Sequence, residues 1–355
     1  MKLYPHDTRL KRDVIIQQKR YLPRQLKGTV NISKGQEVTA SSVVARADMD
    51  QGYYVFDGRE ALNIKAEEVE QYVAIDIGVQ IRRTAPLLIR PKRFGRSQEI
   101  ESPVEGILED ILDGRLLIRR TPRELLVRSM LNGWVVGVES KRGVTVEIQG
   151  AQIEVVWGNG KEGYGELKVL TEDPAGTSDE DEIGREAQGS MLAMGHLADV
   201  GLIEHAIKRG ARGLILGTTT PAIFAELKSF DIPIYLTEGV NMQGMSTPVF
   251  DLLNEHEYKT VSMLGIASSK TRRPEILLSD MQRGRGLPAP AFAEVKVGQR
   301  VRLLRPPYDG KTGEIQAIYP HARESAMGYV TAGADVLLSS GLTVFVPDSN
   351  LDIIM

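Results

Sequence analysis

The sequence predicts a multi-domain protein that combines β and α/β folding units. Between residues 99 and 170, short alternating apolar runs are interrupted by Gly or Asp-Gly at intervals of about eight to twelve residues, which is typical of a compact β unit. Residues 188–265 instead alternate strand-like and helix-like segments, a pattern that favours a parallel sheet. The length of 355 residues also exceeds what one ordinary core accommodates. We therefore expect several domains.

Composition excludes several kinds of chemistry. Apolar residues make up 42% of the chain and charged residues 26%, and the net charge of −3 gives no general attraction to nucleic acid or anionic membranes. Cysteine is absent, which excludes disulfides, thiolate metal sites and cysteine nucleophiles. No apolar run approaches the roughly 20 residues that cross a bilayer, and the first residues lack the apolar segment of a signal peptide. These features predict a cytoplasmic protein without membrane contact.

Residues 1–27 are predicted to form a basic N-terminal arm. They carry eight Lys or Arg against two Asp. The arm is either a solvated extension that packs one short strand or a segment that binds nucleic acid. The first interpretation is favoured, because basic arms without interleaved aromatic residues bind weakly and without specificity. A second basic run, residues 82–96, holds six basic residues and no acid, and the sequence leaves open whether either run contacts nucleic acid.

Residues 28–170 are predicted to form one β domain. Residues 28–38 and 75–87 each read as a strand, a glycine turn and a second strand, and residues 102–108 open a further strand. These stretches resemble the half-motifs of barrel-sandwich hybrid domains, as in biotinyl and lipoyl modules. Carrier domains of that family place a modifiable Lys at a hairpin tip, but the corresponding tip at residues 119–124 contains no Lys. The resemblance therefore implies a rigid interaction module.

A glycine pattern near residue 160 matches the letters of a dinucleotide-binding fingerprint. The pattern is formed by Gly158, Gly160 and Gly163. That fingerprint binds a pyrophosphate only where it opens a helix, whereas residues 164–170 are strand-like. The sequence therefore predicts a turn here, and no cofactor is expected. The acid-rich residues 171–187 that follow are predicted to be a linker.

Residues 188–265 are predicted to form a small parallel α/β domain. The pattern indicates a helix over 191–209 and buried strands over 211–217, 232–237 and 260–265. Two more helices are expected to begin at Thr-Pro pairs, with Thr as N-cap and Pro at the first helical position. These pairs are Thr220-Pro221 and Thr247-Pro248.

In open parallel sheets, ligands bind beyond the carboxyl ends of the strands. The loops at 217–221 and 237–246 are expected to meet there, and their hydroxyls and helix N–H groups suit a phosphate or carboxylate. The candidate ligand-binding residues are Thr218, Thr219, Thr220, Glu238 and Asn241. Capping alone also explains Thr220. The strands are faintly similar to a swivelling phosphohistidine domain, but no His occupies the strand-to-helix loop, which removes a phosphocarrier role.

After a linker at 266–293, residues 294–355 are predicted to form a small barrel. Residues 297–302, 307–315 and 346–354 resemble the strands and turns of a KOW module, the SH3-like barrel of ribosomal and transcription-elongation proteins. In that family the equivalent tip often meets RNA or a protein. The resemblance implies four candidate partner-binding or RNA-binding residues, Arg302, Arg305, Tyr308 and Lys311. Alternatively, the tyrosine packs in the barrel and the arginines are solvated.

No motif points to a reaction. The five His residues show no metal-ligand spacing, and neither a Gly-x-Ser-x-Gly elbow nor a paired-carboxylate motif is present. We therefore expect neither a metal nor a cofactor. A non-enzymatic assembly or docking protein is favoured over an enzyme. Its β domains and KOW-like tail would bind a protein or ribonucleoprotein partner. The alternative hypothesis is that the α/β domain binds or acts on an anionic small molecule at the two loops.

Overall fold

The computed structural model describes residues 10–92, 95–265, 273–280, 287–288, 294–325 and 328–354. The chain is predominantly β and forms several sheets, as the sequence predicts. Among the described residues, no helix has both the length and the apolar character needed to cross a membrane.

The N-terminal half is almost entirely β. Its strands are β1 (Leu10–Tyr21), β2 (Glu37–Val38), β3 (Val43–Met49), β4 (Tyr53–Asp57), β5 (Gln80–Ile81), β6 (Pro86–Arg90), β7 (Gln98–Glu101), β8 (Gly106–Leu112), β9 (Arg115–Arg120), β10 (Arg123–Arg128), β11 (Gly133–Glu139), β12 (Gly143–Glu154), β13 (Trp157–Gly158) and β14 (Gly163–Val169). Its short helices are α1 (Gly58–Leu62), α2 (Ala66–Val69) and a 3-10 turn at Glu70–Tyr72. The glycine pattern near residue 160 lies between two strands and opens no helix.

Residues 53–120, here called the insert, form a separate layer within this half. β4, β9, β8 and β5 make one small sheet, β6 and β7 pair with each other, and no described strand of the insert pairs outside it. The insert has its own apolar core, which includes Leu88, Leu108 and Ile118. Outside it, β3 pairs antiparallel with β10.

The C-terminal half contains three of the four parallel strands described below and a second β unit. Its strands are β15 (Ser190–Leu197), β16 (Gly213–Thr219), β17 (Ile234–Val240), β18 (Thr260–Leu264), β19 (Glu275–Ser279), β20 (Leu287–Pro288), β21 (Arg300–Leu303), β22 (Thr312–Glu324), β23 (Val330–Leu338), β24 (Thr343–Pro347) and β25 (Leu351–Ile353). Its helices are α3 (Gly201–Lys208), α4 (Pro221–Glu226) and α5 (Thr247–Glu255), with 3-10 turns at Arg185–Ala187, Leu227–Ser229 and Asp348–Asn350.

The prediction of one helix over residues 191–209 is wrong. Residues 190–197 form β15, and the helix α3 begins only at Gly201. All eight residues of β15 are buried, because cores lie on both faces of the sheet. A strand buried on both faces loses the alternation that identifies strands, and Met, Leu and Ala are strong helix formers.

A sheet of 12 strands joins the two halves. Strands β14, β15, β16 and β17 are parallel, and the parallel pairing predicted for residues 211–217 and 232–237 is confirmed by β16 and β17. The third predicted strand, at residues 260–265, forms as β18, but the prediction of a parallel direction is wrong, because β18 lies on the far side of β14 and is antiparallel to it. The sheet then continues through β19 and β12 to β1. Residues 10–21, assigned from sequence to the basic arm, thus form a 12-residue strand paired with β12, with Leu10, Val14 and Ile16 buried.

Residues 294–354, here called the C-terminal unit, form a five-stranded antiparallel sheet in the order β24-β23-β22-β21-β25. Its core contains Val301, Ile315, Val336 and Ile353. The last described residue, Ile354, forms a parallel bridge with Leu10 of β1. The C-terminal unit is therefore attached to the large sheet through backbone contact as well as side chains.

Candidate functional site

The carboxyl ends of the parallel strands bring the predicted ligand loops together. His196 on β15 lies opposite Thr218 on β16, which lies opposite Gly239 on β17. The Thr218 side chain is fully buried; its Oγ1 lies 2.8 Å from His196 Nδ1 and accepts a hydrogen bond from the Gly244 amide at 3.1 Å. Burial lowers the pKa of His196. The threonine and a neutral histidine thus hold the 237–246 loop against the sheet.

The other polar candidates also bond within the fold. Thr219 Oγ1 donates to the Leu197 carbonyl at 3.1 Å. Thr220 is the N-cap of α4 and accepts from the Ile223 amide at 3.5 Å, as predicted from the Thr-Pro pair. Asn241 Nδ2 donates to the Glu238 carbonyl at 3.3 Å. The side-chain groups expected to meet a ligand are therefore used for capping and loop attachment.

Glu238 contacts a residue that the sequence assigned to a different site. Arg302 of β21 reaches across from the C-terminal unit, and its Nη1 donates to Glu238 Oε1 at 2.9 Å. The same Oε1 accepts from the Ser246 amide at 3.1 Å. On its other side, Arg302 Nη2 lies 2.6 Å from Asp352 Oδ2. We call Glu238, Ser246, Arg302 and Asp352 the buried charge cluster.

The buried charge cluster is excluded from solvent. Arg302 and Asp352 are fully buried and Glu238 is 4% exposed. Burial raises the pKa of Glu238, an effect that Arg302 only partly offsets. Burial likewise raises the pKa of Asp352 to about 6, against the opposing influence of Arg302. For Arg302 itself burial favours the neutral form, yet the two carboxylates raise its pKa overall. The guanidinium is therefore the fixed charge of this site.

These shifts predict a pH dependence of stability. The folded protein keeps a proton on Asp352 up to about pH 6, whereas the unfolded chain loses it near the ordinary pKa of 3.8. Stability contributed by this proton is present at low pH and is lost as pH rises through about 6. Wild type should therefore lose stability relative to Asp352→Asn between about pH 4 and 7, by at most about 3 kcal/mol. Urea unfolding of both proteins across this range measures the difference, and parallel curves would contradict it.

Arg305 and Tyr308 lie elsewhere, at an open groove of the C-terminal unit, and Lys311 lies beside Tyr308 but outside the groove lining. A cavity of about 430 Å³ is lined by Arg305, Tyr308, Tyr329, Phe345 and Pro347, among others. The Lys311 ammonium lies 5.9 Å from the centre of the Tyr308 ring, and this ring is partly buried against the core. The four residues singled out by the KOW resemblance therefore do not form one site, because Arg302 alone among them lies in the interior.

Two members of the buried charge cluster, Asp352 and Ser246, were not among the site residues predicted from the sequence. Asp352 stands between Leu351, Ile353 and Ile354, and an acid within an apolar run signals burial with a partner. Ser246 carries no such signal, because it bonds mainly through its backbone amide. Tyr329 and Phe345 of the groove are far apart in sequence and were not connected by any pattern.

The described residues contain no group of three or more His, Asp or Glu side chains placed to hold a metal ion. Comparison with known proteins adds no identity: no family model, curated protein or solved structure matches the chain significantly.

Proposed function

We propose that this protein is a non-enzymatic docking protein whose C-terminal unit binds an extended segment of a protein partner. The groove beside Tyr308 is the observation that carries the proposal. Tyr308 and Phe345 give the groove aromatic walls, while Tyr329 and Val330 at its rim are 67% and 68% exposed. Large apolar side chains left exposed around a concave surface mark interaction sites.

The groove also borders a sheet edge. Phe345 and Pro347 belong to β24, which pairs with β23 on one side and, within the described residues, with no strand on the other. A free strand edge offers backbone N–H and C=O groups to an added strand. A protein segment in extended conformation can form backbone hydrogen bonds with this edge and place its side chains against the aromatic walls. The resemblance of this unit to KOW and other SH3-like barrels is consistent with such docking.

Charge favours a protein over RNA as the partner. Arg305 is the one charged side chain among the groove-lining residues that the structure describes. RNA affinity is built from several phosphate contacts at once, whereas one exposed arginine suffices to select an acidic residue in a peptide. We therefore expect the partner segment to combine an acidic residue with aromatic or aliphatic neighbours.

The alternative function, binding or turnover of an anionic small molecule at the 217–221 and 237–246 loops, draws less support. Thr218 and Glu238 are buried, and their polar side-chain groups bond to neighbouring loops and to Arg302. A ligand entering there would have to displace these contacts.

Photo-crosslinking followed by peptide binding tests the docking proposal. A photoreactive residue at position 329 should capture the partner, and a synthetic peptide of the captured segment should bind the full chain. Arg305→Glu should lower the affinity for that peptide by at least about tenfold, because a hydrogen bond between charged groups is replaced by repulsion. Fluorescence anisotropy of the labelled peptide measures the affinity.

Lys296→Glu is the matched control, since Lys296 is exposed on the same unit and lies outside the groove. It should bind the peptide like wild type. Equal losses in the two variants would indicate a general charge effect and contradict the groove. An RNA oligonucleotide could instead compete with the peptide, with an affinity that falls steeply as the salt concentration rises. That result would identify RNA as the partner and contradict the protein-docking proposal.

A further inference from the structure

The two chain connections between the insert and the rest of the molecule, here called the neck, form a second concave surface. This surface is independent of the groove proposed for docking. The chain enters the insert after β3 and leaves it before β10, and the Arg120 amide bonds to the Gly52 carbonyl at 3.0 Å where the two connections meet. The Thr121 amide bonds in turn to the Glu105 carbonyl, also at 3.0 Å. An open pocket of about 600 Å³ lies at this neck. Its size is that of a small-ligand site.

Three arginines line the pocket. They are Arg83, from the loop between β5 and β6, Arg120 at the end of β9, and Arg123 at the start of β10. Glu105 is the one acidic residue among the lining residues, and the Gln51 amide and Thr121 hydroxyl add uncharged hydrogen-bonding groups. The formal charge of the lining is therefore positive by two, from three arginines and one glutamate.

Three other arginines, all within the insert, are ion-paired. Arg59 is paired with Asp57 at 2.6 Å, Arg115 with the same carboxylate at 3.3 Å, and Arg119 with Glu109. Arg83, Arg120 and Arg123, by contrast, form no side-chain ion pair or hydrogen bond within the described parts of the chain. The three guanidinium groups that face this cavity are therefore available to a ligand. Among the same described residues Arg82 also lacks an ion pair, but it lies outside the cavity lining.

We propose that this pocket binds a small ligand bearing two or more phosphate groups. Guanidinium groups bind phosphate oxygens through two parallel hydrogen bonds, which favours arginine wherever phosphate is recognised. Three unpaired guanidiniums around one cavity repel each other, and a polyanion relieves that repulsion. A single carboxylate would leave most of this charge uncompensated, so an oligophosphate fits the charge better.

The position of the site gives the ligand a structural role. Arg83 and Arg120 belong to the insert, whereas Arg123 belongs to β10, which pairs with β3 in the rest of the molecule. A ligand held by all three arginines therefore bridges the insert and the body of the protein across their two-chain connection.

Calorimetric titration of the full chain with inorganic tripolyphosphate tests the site. Wild type should bind with a single saturable heat signal, and Arg83→Gln, Arg120→Gln and Arg123→Gln should each weaken binding by about five- to tenfold through loss of charge-assisted hydrogen bonds. Thermal melting should be unchanged in the three variants, because none of these side chains supports the fold through an ion pair.

Arg82→Gln provides the matched control. Arg82 is exposed, precedes Arg83 and is absent from the pocket lining, so the variant carries the same charge change beside the site. It should bind tripolyphosphate like wild type. Equal weakening by Arg82→Gln, or no saturable binding of either tripolyphosphate or a single-stranded RNA decamer, would overturn the proposal. If the decamer binds through the same three arginines and tripolyphosphate does not, the phosphates come from a nucleic acid backbone rather than a small molecule, and the small-ligand assignment is overturned.

Discussion

Arg302→Met should lower the free energy of unfolding by about 3–5 kcal/mol, the largest stability effect that we expect from a polar substitution in this chain. The guanidinium lies between two carboxylates, at 2.9 Å from Glu238 Oε1 and 2.6 Å from Asp352 Oδ2. Methionine keeps much of the volume of the side chain but leaves both acids buried without their counter-charge. The cost arises from that uncompensated charge, since the net contribution of a buried ion pair itself is often small.

Urea unfolding followed by circular dichroism measures this loss. Arg300→Met is the matched control, because Arg300 lies two residues earlier on β21 and is exposed; its variant should stay within about 0.5 kcal/mol of wild type. Neutralising the acids as well, with Glu238→Gln and Asp352→Asn in the Arg302→Met background, should recover part of the loss. If Arg302→Met resembles Arg300→Met, the buried charge cluster does not fix the C-terminal unit to the parallel sheet.

The buried charge cluster and the groove have separate roles in the C-terminal unit, one in stability and the other in partner binding. Arg302 faces the interior and attaches the unit to the 237–246 loop, whereas Arg305, three residues later, is exposed at the groove. A change at Arg305 should therefore alter partner binding and leave stability unchanged. A change at Arg302 should do the reverse at temperatures where the variant stays folded. This contrast separates a docking surface from a structural contact.

Local signals in the sequence were sufficient for some elements. The prediction of a helix beginning at Thr220-Pro221 is confirmed, because the cap hydroxyl and the fixed proline backbone act within one turn. The strands at Gly213–Thr219 and Ile234–Val240 were also predicted, since short apolar runs between helices have few other interpretations.

Other features depend on residues that are distant in sequence. Residues 10–21 look like a basic arm, yet they form an interior strand whose Lys11 ammonium bonds to Gln152 Oε1 at 3.1 Å. The partner of that strand, β12, lies more than a hundred residues later, so no local pattern indicates the pairing. The same holds for Glu238 and Arg302, which are 64 residues apart in sequence, so that no local pattern indicates their contact.

Gly217→Ala should destabilise the protein by about 3 kcal/mol, near the upper end of what overpacking usually costs. Gly217 is the first residue of the predicted ligand loop at 217–221. In the structure a methyl group here would lie closer than 3.0 Å to three backbone atoms: the carbonyl oxygen of Gly195, the amide nitrogen of Met245 and the carbonyl carbon of Gly244. Backbone cannot move aside as a flexible side chain can, so the 244–245 loop must separate from the strand.

Gly201→Ala is the control for this substitution. Gly201 opens α3, and its nearest neighbour to an added methyl group is Asp199 Oδ1 at 3.4 Å, an ordinary contact. Alanine also favours a helix over glycine, so stability should stay equal or rise by up to about 1 kcal/mol. Urea midpoints of the two variants give the comparison. If Gly217→Ala unfolds like wild type, the loop is not held against β16, and the 217–221 region is open enough to admit a ligand after all.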